Sequence, residues 1–375
     1  MSEQSLENDW GDGMDVEQGE LVDRVILMAI RLGASDLHFN PRENGLDVQV
    51  RVHGKLLPLV RVADFPEGVD QTALARLKVL ARLSLAERRR PQDGRFRFER
   101  DGLSCDIRLA TMPTVHGERA VVRLLPQKTP WQSLAALCLP HELEARVWEF
   151  FAGAGGMLVV SGKVGSGKST TLYALMRERC RLGESVLTIE DPVERRLESF
   201  AQVEVDEKVG LTFAEGLRNA LRQDPDLLMV GEIRDELTAQ IAVRAGLTGH
   251  HLLSTVHADA PEQVLTRLLE FGVERSYLAQ SLKLVVWQRL VPEWCERCRG
   301  DGCEACQGVG VTGRHAEFRT LFTDDIERLL DALRPLSARQ RASARRREST
   351  TVRPYARQEV DLVVAERQDA ARKST

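Results

Sequence analysis

The sequence predicts an α/β fold in which a parallel sheet carries the chemistry and a smaller α+β domain precedes it. Short apolar runs, GMLVVSG, VLTIED, DLLMVGE and HLLSTVH, alternate with helical segments after residue 134, which is the pattern of a parallel sheet. A glycine-rich loop follows the first run, and acidic or histidine residues follow the others. Because ligands bind beyond the carboxyl ends of such strands, we expect the functional site at that edge of the sheet.

The N-terminal part of the chain, residues 21–124, has the pattern of a small α+β domain. A helical period begins at Leu21 and ends at Gly33. Two stretches of alternating apolar and polar residues follow, with turns at His53-Gly54 and Asp101-Gly102, and such alternation with a glycine turn is typical of a β-hairpin.

The remaining segments complete the predicted organisation. Residues 1–20 are acidic and lack an apolar period, which indicates a flexible tail. Residues 125–133 have the proline and polar content of a linker. Residues 134–375 form the parallel-sheet domain, with a cysteine-rich subdomain at 291–316 and a helical C-terminal region.

Composition indicates a globular protein of a reducing compartment. The 375 residues include 43% hydrophobic and 29% charged side chains, and no apolar run approaches the roughly 18 residues of a membrane span. Outside one short cluster the cysteines are scattered, which does not resemble a disulfide framework. A net charge of −4 gives no general attraction to nucleic acid, and the basic runs at 88–90 and 339–347 are best interpreted as solvated surfaces. We therefore expect a cytoplasmic location.

The stretch GKVGSGKST, from Gly162 to Thr170, predicts a nucleoside triphosphate site. It fits G-x-x-x-x-G-K-[ST], follows a predicted strand and opens a predicted helix. Lys168 supplies a mobile charge to the β- and γ-phosphates, and Ser169 offers its hydroxyl group to Mg²⁺. The residues expected to bind the nucleotide are Gly162, Gly165, Ser166, Gly167, Lys168, Ser169 and Thr170.

The next strand ends are acidic. Glu190, Asp191 and Glu194 follow the second apolar run, and Glu232 follows the third. Carboxylates facing a triphosphate require a divalent cation between them, which implies Mg²⁺. We expect Glu190 and Asp191 to contact the nucleotide site, Glu194 to assist catalysis, and Glu232 to activate or orient the attacking water.

Histidines lie at both ends of the fourth apolar run. His250 and His257 are an odd number of positions apart and point to opposite faces of a regular strand. We expect only one of them to reach the phosphates, with His257 as a catalytic candidate and His250 as a binding candidate. A structural role for a histidine at this position is the alternative. His251 is predicted to be a packing or exposed residue.

Taken in order, the motifs resemble a known family. GKVGSGKSTTLYAL, TIEDPVE, LRNALRQDPDLLMVGEIRD and TGHHLLSTVHADA are similar to the Walker A, aspartate box, Walker B and histidine box of the secretion ATPases that drive type II secretion and type IV pilus assembly. Upstream, ASDLHFNP, RVHGKL, RRRPQDGRFR and DIRLATMPTVHGERAVVRLL resemble the second N-terminal domain of that family. The resemblance extends over residues 21–320.

The resemblance implies a RecA-like P-loop ATPase domain preceded by a PAS-like domain, with ATP and Mg²⁺ bound between them in a homo-hexameric ring. Domain motions of such a ring turn an inner-membrane platform protein that extrudes pilin-like subunits. This implies peripheral association with the cytoplasmic face of the inner membrane. From the net charge, no nucleic acid partner is expected. The family also places arginines around the phosphates, and the positions that match here are Arg51, Arg108, Arg123, Arg218, Arg222, Arg234 and Arg314.

Two CxxC pairs, Cys295 with Cys298 and Cys303 with Cys306, predict one structural Zn²⁺ site with four thiolate ligands. In the secretion ATPase family that the motifs resemble, the secretion and pilus-extension branches carry a four-cysteine subdomain and the retraction branch lacks it. The family usually separates its pairs by a longer loop, and each pair here also fits the CxxCxGxG repeat of DnaJ-type chaperones. That similarity is local, because it leaves the phosphate-binding loop unexplained; cysteines that only fill a reduced core are the other alternative.

Two alternatives for the function stay open at this point. One is a competence-type DNA-uptake pilus motor, and the other is a nucleotide-binding scaffold without turnover. Full-length members of the secretion branch carry a first N-terminal domain that docks on a membrane anchor, whereas this chain has only the short acidic stretch there. Shorter members of competence and minor pilus systems also lack that domain, so the motifs identify neither the system nor the mode of docking.

Overall fold

The computed structural model describes residues 18–60, 69–126, 133–306 and 308–333. The predicted acidic tail and linker therefore lie almost wholly outside the described residues, as do the helical C-terminal region and the basic run at 339–347. The chain forms two compact units. The first unit comprises residues 1–130 and 291–315, and the second comprises residues 131–290 and 316–375.

The first unit is an antiparallel sheet covered by helices, as the alternating sequence predicts. Its sheet has the order β3-β2-β1-β6-β5-β4. Alternate side chains along β2 are buried and partly exposed, so one face of the sheet packs into a core with Ile26 and Leu77 of the helices. Its elements are α1 (Gln18–Arg31), β1 (Asp36–Arg42), β2 (Gly45–Val52), β3 (Lys55–Val60), α2 (Val69–Leu80), β4 (Gln92–Arg100), β5 (Leu103–Thr114) and β6 (Gly117–Pro126).

The cysteine-rich segment groups with this first unit rather than with the parallel-sheet domain to which the sequence analysis assigned it. Val309 and Val311 are 5% and 1% exposed and belong to the same hydrophobic core as the sheet. Lys55, at the start of β3, donates a hydrogen bond to the Val309 carbonyl at 3.2 Å. Its position in the sequence predicted that the segment belongs to the parallel-sheet domain. Its apolar side chains, however, are buried in the core of the first unit.

The second unit is built on the predicted parallel sheet. The full sheet order is β13-β12-β7-β11-β10-β8-β9, and the neighbours from β12 to β9 pair in parallel. The strands are β7 (Gly156–Ser161), β8 (Val186–Glu190), β9 (Ala201–Glu204), β10 (Leu227–Val230), β11 (His251–Val256), β12 (Leu282–Trp294) and β13 (Val311–Phe322). The helices are α3 (His141–Ala152), α4 (Lys168–Arg181), α5 (Phe213–Ala220), α6 (Glu236–Leu247), α7 (Pro261–Glu270), α8 (Arg275–Ser281) and α9 (Thr323–Ala332).

Helices bury both faces of this sheet. Leu158 and Val160 pack with Leu172 and Met176 of α4, and Val159 packs on the other side in a cluster that includes Val243 of α6. The strands are therefore apolar throughout, which explains their continuous apolar runs. Among the described residues, no helix combines the length and the apolar character that crossing a bilayer requires.

Candidate nucleotide site and cysteine cluster

The loop between β7 and α4 has the geometry of an anion site. β7 ends at Ser161, and α4 begins at Lys168 with Gly167 as its N-cap. Gly165 and Gly167 adopt φ angles of 77° and 89°, which glycine adopts without steric cost. The chain therefore turns sharply into the helix, whose unpaired N–H groups and dipole attract negative charge. Ser169 lies in the first turn of α4 and is partly buried.

Lys168 is held at the centre of this loop. Its Nζ donates hydrogen bonds to the carbonyl of Gly162 at 2.9 Å and to that of Lys163 at 3.0 Å. Burial lowers the pKa of Lys168, and the carboxylates of Glu194 and Glu232 act against that shift. The charges of two of the predicted acids therefore act on the predicted lysine.

Glu232 lies in a cluster of charged groups at the carboxyl ends of the strands. It accepts a hydrogen bond from Arg234 Nη1 at 3.1 Å, and His257 Nε2 lies 3.5 Å from its other oxygen. Arg234 also donates to Asp191 at 3.1 Å and lies 3.7 Å from Glu207. Glu207 comes from a short turn outside the motifs, and the sequence offered no signal for it.

Glu190 points away from this cluster, although sequence analysis placed it beside the nucleotide. It is 4% exposed, and its carboxylate accepts hydrogen bonds from the hydroxyl groups of Tyr173 and Thr188 and from Gln202. These partners use both carboxylate oxygens inside the domain. The neighbouring Asp191 is exposed at the surface, where it contacts Arg234.

The two histidine candidates lie at opposite ends of β11. His251 at its start pairs with Gly156 at the start of β7, and Val256 at its end pairs with Ser161, where the phosphate-binding loop begins. His257 therefore follows the functional edge, and His250 precedes the opposite edge, where its Nδ1 lies 3.3 Å from Thr248. The geometry thus favours His257 over His250. His251 packs between Phe150 and Phe151, as its packing prediction anticipated.

Arg218 and Arg222 are exposed on the surface of α5 and at its C-terminal end. Arg218 lies 3.5 Å from Glu215, and Arg222 donates to the side chain of Asn219. These partners belong to the same helix. The structure therefore does not join these two arginines to the cluster around Glu232, unlike Arg234.

Arginines of the first unit form a row across its sheet. Arg123 on β6 lies opposite Arg108 on β5 and Asp36 on β1, Arg108 lies opposite Arg95 on β4, and Asp36 lies opposite Arg51 on β2. Residues directly opposite in antiparallel strands point to the same face, so this row is a basic stripe interrupted by one carboxylate. Asp36 binds Arg123 Nε at 3.0 Å.

Arg95 is the member of this row that sequence reasoning missed. The alternation in RFRF from Arg95 to Phe98 carried the signal, because it places Arg95 on the polar face of its strand. Arg314 lies beside Gly54, in the turn that follows β2, at the end of the row that is opposite Arg95. Burial and the positive charge of Arg314 lower the pKa of His53.

The cysteines form a compact cluster. The Sγ atoms of Cys295, Cys298, Cys303 and Cys306 all lie within 4.8 Å of one another. Three of the Sγ–Sγ distances are 3.7, 3.7 and 3.8 Å. A tetrahedral zinc ion with Zn–S bonds of about 2.3 Å requires sulfur atoms about 3.8 Å apart, so the cluster fits zinc.

Backbone N–H groups surround the cluster in a way that suits thiolates. Gly302 donates to Cys298 Sγ at 3.3 Å, and Cys303 and Gly310 donate to Cys306 Sγ at 3.2 and 3.1 Å. Burial raises the pKa of Cys306, but hydrogen bonds from the N–H groups of Cys303 and Gly310 and from the thiols of Cys298 and Cys303 outweigh it and lower that pKa to about 6. The donor set is all sulfur and closed, which is typical of a structural site.

Comparison with known proteins agrees with this geometry. A family model described as "Type II/IV secretion system protein" matches residues 15–372. The chain is 39% identical to the type II secretion system protein HxcR of Pseudomonas aeruginosa, over 85% of this chain and 70% of that protein. It is 37% identical to the type IV pilus assembly ATPase PilB of Thermus thermophilus, over 82% of this chain but only 37% of that protein. A type II secretion system protein E of Klebsiella pneumoniae is 39% identical, and the match spans 82% of this chain and 66% of that protein.

Solved structures share the fold. The ATPase DotB of Legionella pneumophila superposes with a TM-score of 0.66 at 24% identity, over 86% of this chain and 85% of that one. The pilus retraction motor PilT with bound ADP superposes with a TM-score of 0.61 at 27% identity, over 83% of this chain and 87% of that one.

Proposed function

Because this chain belongs to the type II/IV secretion system protein family, we propose that it is an Mg²⁺-dependent ATPase motor that works as a homo-hexamer in pseudopilus or pilus assembly. The observation that supports hydrolysis most directly is the position of Glu232, which follows β10 at the edge of the sheet where the phosphate-binding loop begins and contacts Arg234 and His257. A site for nucleotide binding alone has no need of that acid, which counts against a scaffold without turnover.

The residues around the loop have different roles in hydrolysis. Lys168 and the N–H groups of the loop bind the β- and γ-phosphates. Glu232 takes a proton from the attacking water as the water oxygen bonds to the γ-phosphorus and the bond from that phosphorus to the bridging oxygen breaks, so that ADP and phosphate leave. His257 and Arg234 orient the Glu232 carboxylate from either side, and Glu194 favours the charged form of Lys168. The hydroxyl group of Ser169 would hold a Mg²⁺ ion, which would supply positive charge to neutralise the phosphates.

Arginines provide the remaining positive charge in this proposal. The row of Arg95, Arg108, Arg123 and Arg51 on the first unit, with Arg314 at its end, supplies positive charge to the phosphates. Arg218 on α5 and Arg222 just after the helix, both exposed, serve the same purpose at a subunit boundary. An arginine supplied in this way is worth about 10³ to 10⁵ in the rate of phosphoryl transfer, so turnover depends on assembly.

The proposed partner is an inner-membrane platform protein, with the motor bound peripherally at the cytoplasmic face. Relatives named as a pilus assembly ATPase and as type II secretion proteins support this class of work. The four-cysteine cluster supports the secretion and extension side over retraction. No nucleic acid is required as a partner.

Assembly gives a direct test. If protomers complete one another's sites, the specific ATPase activity rises with protein concentration, and Glu232→Gln chains mixed into wild type reduce activity by more than their fraction. Coupling between sites of about 1 to 3 kcal/mol is enough to make this visible. Phosphate release is measured across a concentration series and across mixing ratios.

A matched mixing control is Glu270→Gln, which removes an exposed carboxylate that pairs with Arg267 on α7. This variant should leave the activity of mixtures unchanged. Specific activity that is constant with concentration, together with inhibition in strict proportion to the Glu232→Gln fraction, would show that protomers act independently.

A further inference from the structure

Gln288 contacts the phosphate-binding loop from behind. It lies on β12 next to Trp287, which pairs with Ser161 at the end of β7, and it is 1% exposed. Its Nε2 donates a hydrogen bond to the Ser166 carbonyl at 2.7 Å, and its Oε1 accepts one from the Thr171 hydroxyl group at 2.9 Å. One amide therefore links the loop to the first turn of α4.

The glycines at both ends of the loop also pack against Gln288. A Cβ atom at Gly162 would lie 2.3 Å from the Gln288 carbonyl oxygen, and one at Gly167 would lie 3.1 Å from its Nε2. Both glycines have positive φ angles, of 140° and 89°. The requirement for glycine at these positions thus comes partly from the approach of β12, in addition to the approach of a phosphate.

We propose that Gln288 is a positioning residue that sets the direction of the loop N–H groups for phosphate binding. In a planar trans peptide the N–H points away from the preceding C=O. The hydrogen bond that holds the Ser166 carbonyl toward β12 therefore turns the Gly167 N–H to the opposite side, at the start of α4. This inference rests on the proposed function, since the group to be positioned binds a nucleotide phosphate.

The bond to Ser166 and the bond to Thr171 can be separated by substitution. Gln288→Glu keeps the shape and the acceptor for Thr171 but loses the N–H donor and places a carboxylate against the Ser166 carbonyl. Thr171→Val removes only the other bond. The exposed neighbour Arg289, which pairs with Glu317, provides the control variant Arg289→Gln.

We expect Gln288→Glu to weaken Mg²⁺-ADP binding by about tenfold or more, because the Ser166 carbonyl loses the donor that holds it toward β12 and the Gly167 N–H loses its direction toward the phosphate. We expect Thr171→Val to change affinity by less than about threefold, and Arg289→Gln to leave it unchanged. Titration calorimetry with Mg²⁺-ADP measures all of these. In turnover, the KM should rise while kcat changes little, since the loop binds ground state and transition state alike.

A merely structural role gives a different result. Gln288→Met, of similar volume, would then lower the melting temperature without nucleotide but keep the wild-type increase on adding Mg²⁺-ADP, whereas we expect that increase to shrink. Wild-type affinity in Gln288→Glu, or equal losses in Gln288→Glu and Thr171→Val, would overturn the proposal. Failure of the wild-type protein to bind Mg²⁺-ADP would instead refute the proposed function.

Discussion

Replacing Glu232 by glutamine should lower ATP turnover by about 10² to 10⁴-fold while ATP still binds, because the amide cannot accept a proton from the attacking water. Lys168→Ala should lose binding as well as turnover, since Lys168 is the cation at the centre of the loop. Phosphate release and equilibrium nucleotide binding, measured on the same preparations, distinguish the two effects. The contrast between the variants tests the roles assigned to the two residues.

Glu207 offers a matched control for Glu232. Its side chain is 74% exposed and lies 3.7 Å from Arg234, which also contacts Glu232. Glu207→Gln removes a carboxylate from the same cluster without removing the proton acceptor, so turnover should stay within about twofold, in keeping with a weak exposed ion pair. Turnover at the wild-type rate in Glu232→Gln would refute its role.

The fold and the central site were predictable because their signals are local. A buried parallel strand, a glycine-rich loop and a helix start follow one another within a few residues, so the pattern around Lys168 required no knowledge of distant contacts. The same local pattern placed Glu232 at a strand end. The family inferred from these motifs is confirmed by the family match over residues 15–372.

Choices between neighbouring residues depended on distant contacts. Glu190 and Asp191 are adjacent in sequence, and two of the partners that hold Glu190 inward, Tyr173 and Gln202, come from other elements. No periodicity in the sequence encodes that pairing. The in-register row that includes Arg95 likewise depends on the pairing of β4, β5 and β6.

The histidines show a limit of a different kind. The sequence predicted that His250 and His257 point to opposite faces of one strand. In the structure they lie at opposite ends of β11 instead. Seven positions span about 23 Å at the rise of a β-strand, so the length of the apolar run already carried this information. The direction of β11 relative to β7 then decides which histidine follows the phosphate-binding edge.

The cysteine segment was predicted as a metal site but not as part of the first unit. Trp294, directly before Cys295, lies under the ammonium group of Lys55 at 4.8 Å. After Cys306, Val309 and Val311 enter the core of the first unit. Both flanks of the cluster are therefore attached to the N-terminal sheet, and the cluster sets the distance between them.

Loss of the metal should consequently destabilise the first unit while leaving nucleotide binding almost intact. A fresh preparation should contain about one Zn²⁺ per chain, and Cys303→Ser should lower the melting temperature and speed hydrogen exchange in β2 and β3, because metal binding at a closed cysteine site contributes directly to folding. Affinity for Mg²⁺-ADP should change by less than about threefold, since the loop around Lys168 folds on β7 and α4. Cys138→Ser, at an exposed thiol outside the cluster, is the control and should have no effect. Absence of zinc by elemental analysis, or exchange that accelerates equally in β7 and β3, would contradict this role of the cluster.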